Sequence, residues 1–216
     1  MTAEADLHGE SGTGDDPLPS AWGASRVSRD MADDQRSAAS FELMAAVLDG
    51  TDLPELLKLV ATQARGLAHV PLAFIALPVE DGHLLRIDVA VGADAERVRG
   101  LAVRRGKSML GRAFASRRAL SARIVDDQTL TRLPAGPILI LPLETGETTR
   151  GVLAVLGRPG AQPFGPGTAR QLLLYADMAA RLVELAEDRR ALRAGSAGDG
   201  HGPGHGEPRP PWGTGM

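Results

Sequence analysis

The sequence predicts an α+β sandwich, in which a mostly antiparallel central sheet carries the terminal helices on one face and short helices on the other. Five short apolar segments have strand character, and turn residues join four of them into two pairs. Two segments, GPILILPLE and RGVLAVLG, are apolar on both alternating faces, as expected of strands covered on both sides. Amphipathic helices stand before and after the strands.

Two helices are predicted ahead of the first strand. The first covers residues 36–50 and ends at Gly50, and its apolar residues recur at helical spacing: Phe41, Met44, Val47 and Leu48. Asp52 and Glu55 fit a capping box that opens the second helix. One stripe of that helix is apolar: Leu53, Leu56, Leu57, Val60, Ala61, Ala64 and Leu67. The second helix is therefore expected to pack by one face.

The strand segments differ in how deeply they should be buried. PLAFIALPV (residues 71–79) and HLLRIDVAVG flank a hairpin turn, and two short helices, ADAERVRG and MLGRAFASRR, follow. In ALSARIV, Ser121 and Arg123 alternate with Ala122 and Ile124, which is typical of a half-exposed edge strand. Thr168 and Gln171 are a second candidate capping box for a final helix that runs to about Arg193.

The segment GLAVRRGKS (residues 100–108) ends like a phosphate-binding loop. Five residues separate Gly100 from Gly106, which is one more than the motif allows. The extra residue breaks the convergence of backbone N–H groups on a phosphate. We therefore interpret Gly106 as a turn residue and Ser108 as the N-cap of the helix that follows.

Composition excludes several classes of protein. The 216 residues include no cysteine, so disulfides, thiolate metal sites and thiol catalysis are impossible on this chain. A net charge of −3 without a large basic face argues against nucleic-acid binding. No apolar run is long enough to span a membrane and the acidic N-terminus does not resemble a signal peptide, so a cytoplasmic location without membrane contact is expected.

Both ends are expected to be disordered. Residues 1–35 are rich in Gly, Asp and Ser, and residues 195–216 are rich in Gly and Pro. His201 and His205 lie four apart in the second tail, but the Gly and Pro between them forbid the helix that would join them at a metal. No metal site is predicted anywhere in the chain.

The order of elements resembles a GAF domain over residues 52–193, and residues 51–194 are assigned to that domain. The most specific segment is GKSMLGRAFASRRAL, which resembles a GAF string with glycines at Gly106 and Gly111. The phrases GPILILPLE, RGVLAVLG and PFGPGTARQLLLYADMAARLVELA add to the likeness. The resemblance is to the GAF domains of actinobacterial sensor histidine kinases, without the kinase part, and it implies that the opening stretch forms a wall of a ligand pocket.

Members of the family that this chain resembles have several activities, and each activity needs particular residues. The N-K-x-F-x-D-E type motif of cyclic-nucleotide-binding members is absent, and bilin-linked members and free-methionine-sulfoxide reductases of this fold need cysteines. Haem-binding members take a histidine from the segment that is DDQTLTRLPAG here, which has none. No cofactor is therefore expected from motifs, and the cofactor stays unknown. His69 is interpreted as a dipole-facing or partly buried residue at a helix end, and His83 as a solvated turn residue.

The resemblance implies a non-catalytic sensory or regulatory module in signal transduction, which binds a small molecule or a partner protein such as a kinase. The alternative is a redox or gas sensor that binds haem or flavin. The candidate pocket residues, for each of which plain core packing is the competing interpretation, are Phe74, Met109, Arg112, Phe114, Leu130, Ile138 and Ile140. A basic cluster surrounds the same short helix and is either a solvated face or an anion site. It consists of Arg104, Arg105, Arg112, Arg117 and Arg118.

The final helix has two apolar stripes, and a homodimer is predicted because one sheet needs only one of them. The first stripe is Leu172, Tyr175, Ala179, Leu182 and Ala186, and the second is Leu174, Met178 and Leu185. Pairing with the helix that carries Phe41 and Met44 across a two-fold axis makes a four-helix bundle. Alternatively, that helix folds back on the final helix of its own chain.

Overall fold

The computed structural model describes residues 21–79, 82–125, 133–146 and 148–198. The helices are α1 (Ala21–Leu48), α2 (Leu53–Ala68), α3 (Ala95–Val98), α4 (Met109–Ser116) and α5 (Pro166–Gly198). The strands are β1 (Leu72–Val79), β2 (Leu84–Gly92), β3 (Ala102–Arg104), β4 (Leu120–Ile124), β5 (Gly136–Thr145) and β6 (Thr148–Leu156). Residues 1–20 and 199–216, where most of the predicted disorder falls, lie outside the described residues.

The six strands form one sheet in the order β3-β2-β1-β6-β5-β4, with every neighbouring pair antiparallel. The α+β sandwich predicted from the sequence is confirmed. Strands β5 and β6 lie inside the sheet, as their two apolar faces predicted, and β4 lies at an edge with Ser121 and Arg123 exposed. The three-residue strand β3 was not predicted.

Alternation along the strands produces two separate apolar clusters. Ile75, Leu141 and Leu153 point towards α1, α2 and α5, and we call this side of the sheet the helix face. Phe74 and Ile140 point towards α3 and α4 on the other side, which we call the α4 face. Successive apolar residues of a central strand therefore contribute to opposite clusters, because their side chains leave opposite faces of the sheet.

Helix α2 begins as the sequence predicted. The Asp52 carboxylate accepts a hydrogen bond from the backbone N–H of Glu55 at 3.1 Å. The predicted stripe is buried from Leu56 to Leu67, while Leu53 at its start is half-buried. At the other end His69 adopts a left-handed conformation, with φ of 51°, and its exposed side chain ends the helix at the surface.

The two terminal helices are longer than predicted. Helix α1 already begins at Ala21, so the prediction that residues 21–35 are disordered is wrong. Ala, Arg, Met and Gln favour a helix there although large apolar residues are few. Helix α5 begins at Pro166, whose fixed φ suits a first helical position, so Thr168 lies inside the helix rather than at its cap. It also continues four residues past position 194.

Helix α1 packs against α2 and α5 of its own chain. Ala39, Leu43 and Val47 are buried in the helix-face cluster, and the Arg189 guanidinium donates to the Val47 carbonyl at 3.3 Å. Phe41 and Met44 lie on the opposite side of α1 and stay exposed. Folding of α1 back on its own chain therefore explains the burial of Val47, whereas Phe41 and Met44 remain exposed within the chain.

The two stripes of α5 have different environments. Leu172, Tyr175 and Ala179 of the first stripe are buried against the sheet and α2, while Leu182 and Ala186 are half-buried. Tyr175 donates to the Val60 carbonyl at 3.4 Å, and its burial, with the nearby Glu42 carboxylate, raises the pKa of its hydroxyl well above the usual range. On the second stripe Leu174 and Leu185 are exposed and Met178 is half-buried.

Candidate functional site

The candidate site lies on the α4 face, where one short helix covers the middle of the sheet. Phe74 of β1 and Ile138 and Ile140 of β5 are fully buried there, and Phe114 of α4 packs on them. The structure thus brings four of the predicted pocket residues into one cluster. Leu110 and Ala113 complete the inner side of α4, and sequence reasoning missed them although their spacing with Phe114 is helical.

The other three predicted pocket residues have different outcomes. Met109 is half-buried and packs at the margin of the cluster. Arg112 is exposed on the outer side of α4 and does not contribute to the cluster. Leu130 lies outside the described residues. The cluster under α4 is therefore a packed apolar core without a charged side chain at its centre.

The segment before α4 is a turn and a cap, as predicted. Gly106 has a φ of 76°, and the Ser108 hydroxyl accepts a hydrogen bond from the backbone N–H of Gly111 at 2.9 Å. A Cβ atom on Gly111 would lie 2.4 Å from the Arg104 carbonyl oxygen. Only glycine lets α4 approach that backbone so closely, which explains both glycines of the string GKSMLG.

Arginine side chains surround α4 at the surface. The Arg105 guanidinium lies 4.9 Å from the centroid of the Phe114 ring, a cation–π contact over the outer edge of the apolar cluster. Arg117 caps α4 with a φ of 56° and bonds the Gly146 carbonyl at 2.7 Å. Arg104 and Arg118 are exposed, as a solvated face around the helix predicts.

Glu144 of β5 is paired with Arg117, the residue at which α4 ends. Its Oε2 atom accepts a hydrogen bond from Arg117 at 3.3 Å, while its Oε1 atom is buried and has no hydrogen-bond partner among the described residues. A buried carboxylate oxygen normally has a donor. Glu144 and Arg117 are 27 positions apart, and no sequence pattern predicted the pair.

Other site classes find no support in the described ranges. Within them, no group of three or more His, Asp or Glu side chains is arranged to hold a metal ion. His83 is exposed near the β1–β2 turn, and so is His69. None of the described helices is long and apolar enough to cross a membrane.

Taken together, the sheet order and the two unequal helical layers define a single α+β sandwich module with a short-helix wall on one face. The chain belongs to the GAF domain family, whose profile matches residues 52–185. The family predicted from GKSMLGRAFASRRAL and the strand phrases is thereby confirmed.

Solved structures agree with this assignment. The second GAF domain of DevS from Mycobacterium smegmatis is 28% identical, with a TM-score of 0.60 over 65% of this chain and 99% of that chain. Another structure, the GAF-B domain of DevS from Mycobacterium smegmatis, is 29% identical with a TM-score of 0.58 over the same shares. Free methionine-R-sulfoxide reductase from Neisseria meningitidis, in complex with its substrate, is 18% identical, with a TM-score of 0.58 over 71% of this chain and 91% of that chain. At that identity the reductase is a likeness of fold alone.

Proposed function

We propose that this chain is a non-catalytic sensory module that binds a small molecule on the α4 face and transmits its state through α1 and α5. The GAF domain is a family of sensory and signalling modules. The observation that carries the ligand proposal is the unpaired Oε1 atom of Glu144, whose carboxylate contacts Arg117 at the end of α4. A small-molecule site usually has an apolar lining with few polar groups, and the cluster under α4 would provide that lining once α4 moved away from it. The ligand would be mainly apolar and would donate an N–H or O–H to Glu144.

The absence of catalysis is part of this proposal. The chain has no cysteine, so the thiol chemistry that a reductase of this fold needs is not possible on it. The side chains assembled on the α4 face are aliphatic or aromatic apart from the Glu144–Arg117 pair, and Arg117 is already bonded to Glu144 and Gly146. That pair supports recognition rather than proton transfer to a substrate.

Native mass spectrometry of protein purified from its own host tests the ligand proposal. We expect an added small-molecule mass on the wild type that is strongly reduced in Glu144→Gln. Glu96→Gln is the matched control, because Glu96 is an exposed glutamate on α3 with its own partner, Arg99. A bound mass that Glu144→Gln leaves unchanged would remove Glu144 from the site. A Soret or flavin band in the absorption spectrum would instead favour the haem or flavin alternative.

We further propose that the module is a homodimer that pairs through the exposed stripe of α5 and the outer side of α1. Leu174, Leu185 and Leu192 are 46%, 42% and 74% exposed, and Met178, Leu185 and Leu192 follow one another at intervals of seven. Phe41 on α1 is 70% exposed. Contiguous apolar residues of this size are typical of a surface that another chain covers. The signal would pass along these helices to a partner protein such as a kinase.

Light scattering at about ten micromolar protein measures the dimer, because an ordinary stable interface is saturated there. The double variant Leu174→Glu/Leu185→Glu is expected to give the monomer mass. Leu173→Glu is the control: Leu173 is also 46% exposed, but adjacent helical residues point about 100° apart. A wild-type monomer would contradict the proposal, and so would a dimer that survives the double substitution.

A further inference from the structure

A cavity of about 330 Å³ opens on the helix face, on the side of the sheet away from α4. It lies between the start of α2, the middle of α5 and the adjoining ends of β1, β5 and β6. Leu57, Leu143, Ala180 and Val183 form its buried floor, and Leu53 stands half-buried at its mouth. Its volume and apolar lining are within the range of small-molecule sites.

The local sequence explains why this space is open. Helix α5 presents Ala180 and Val183, two small side chains, where it crosses the sheet. Helix α2 begins only at Leu53, so no earlier turn of that helix covers the ends of the strands. Helix α1 lies against α2 and α5 and ends at Leu48, and none of its residues lines the cavity.

A charged cluster with an excess of negative charge borders the cavity, and two of its members, Arg150 and Glu187, line it. Arg150 of β6 donates to Glu187 Oε2 at 2.7 Å and to Glu184 Oε1 at 2.9 Å, and its Nε atom lies 3.4 Å from the Thr145 hydroxyl. Hydrogen bonds from Thr145 and then Arg150 hold the pKa of the Glu184 carboxyl below its usual value, so this group is ionised at neutral pH. One guanidinium therefore faces two carboxylates.

Glu187 is the carboxylate of this cluster that lines the cavity. Its Oε2 atom is bonded to Arg150, and its side chain is 33% exposed, so a ligand in the cavity can reach the carboxylate. A positive head group placed there would be balanced by the surplus carboxylate. A negative head group would add a third anion to a single cation.

We infer that this cavity is a second ligand site, selective for an amphiphile with an apolar body and a protonated amine head. The body would lie on Leu57, Leu143 and Val183, and the ammonium group would bind Glu187. This site shares no residue with the α4 face. Its existence is therefore independent of the ligand proposed there.

Titration of the full chain with n-octylammonium, n-octanol and octanoate, followed by methyl NMR, tests the inference. We expect n-octylammonium to shift the methyl signals of Leu57, Leu143 and Val183. It should bind about fivefold more tightly than n-octanol, which is what one partly exposed ion pair contributes. Octanoate should bind more weakly than n-octanol, and salt should reduce the difference between the two ions.

Glu187→Gln should abolish the preference for the amine and leave n-octanol binding unchanged. Glu55→Gln is the matched control, because Glu55 lies on α2 near the same end of the sheet but pairs with Lys58 and does not line the cavity. It should keep the full preference for n-octylammonium.

Several results would overturn the inference. One is the absence of shifts in the cavity methyls at millimolar n-octylammonium, and another is tighter binding of octanoate than of the amine. Shifts confined to Leu110 and Ala113 would place the probe on the α4 face instead.

Discussion

The two faces of the sheet are covered in different ways. On the helix face, α2 and α5, of 16 and 33 residues, lie over the strands and α1 packs on these two helices. Long-range polar contacts such as Tyr175 to Val60 and Arg150 to α5 stabilise this layer. On the α4 face, the cover is an eight-residue helix and a four-residue helix, ringed by arginines. The thicker layer supplies most of the cohesion, whereas the thin layer can move at lower cost. A face that opens to a ligand should be the thin one.

Substitutions at two adjacent residues of β5 test most directly whether the two layers differ in rigidity. Leu141 points to the helix face and Ile140 to the α4 face, and both are fully buried. Leu141→Ala should lower the free energy of unfolding by about 4 kcal/mol, because the long helices hold the cavity open. Ile140→Ala should cost about 2 kcal/mol, because α4 can settle into the space. Urea unfolding measures both, and equal losses would show that the two layers are equally rigid.

The next test concerns the close packing of α4 against the backbone of residues 104–106. Gly111→Ala places a methyl group 2.4 Å from the Arg104 carbonyl and should cost about 2 kcal/mol, as overpacking does. Gly66→Ala, on α2, meets nothing within 4 Å and should instead stabilise the protein by about 0.5–1 kcal/mol. Chemical denaturation of the two variants distinguishes steric exclusion from a general effect of adding a methyl group. A harmless Gly111→Ala would mean that α4 is not held against residues 104–106.

The arginine ring around α4 contributes less. Removing the guanidinium over Phe114 by Arg105→Gln should lower the free energy of unfolding by about 0.5 kcal/mol, since the guanidinium is exposed to solvent. Arg104→Gln is the control, because Arg104 is its neighbour and makes no ring contact. Matched denaturation curves check the difference. If both variants lose the same amount, net charge rather than the ring contact is responsible.

The sequence predicted the elements of the sheet more completely than it predicted the candidate site. The dry faces of β5 and β6 and the Asp52 cap are local signals, and each led to the observed element. The three residues of β3 carry no periodicity, and only pairing with β2 defines them. The Glu144–Arg117 pair and the cavity near Glu187 depend on where separate elements end, which no local pattern encodes. The start of α1 was missed because residues 21–35 have the propensity for a helix but no apolar stripe.

The smallest expected effect concerns the charged cluster that joins the sheet to α5. Thr145 and Arg150 lower the pKa of Glu184 from its ordinary value of 4.5, so the folded state binds this proton less readily than the unfolded chain. The stabilisation from Glu184 is therefore fully present above pH 4.5 and is lost as pH falls through the lowered folded value.

The stability difference between the wild type and Glu184→Gln should be constant from neutral pH down to pH 4.5 and shrink below it. Thr145→Val removes the largest cause of the shift, so in that background the difference should depend less on pH. Urea unfolding across this range measures it, and a difference that grows on acidification would mean that the carboxylate destabilises the fold.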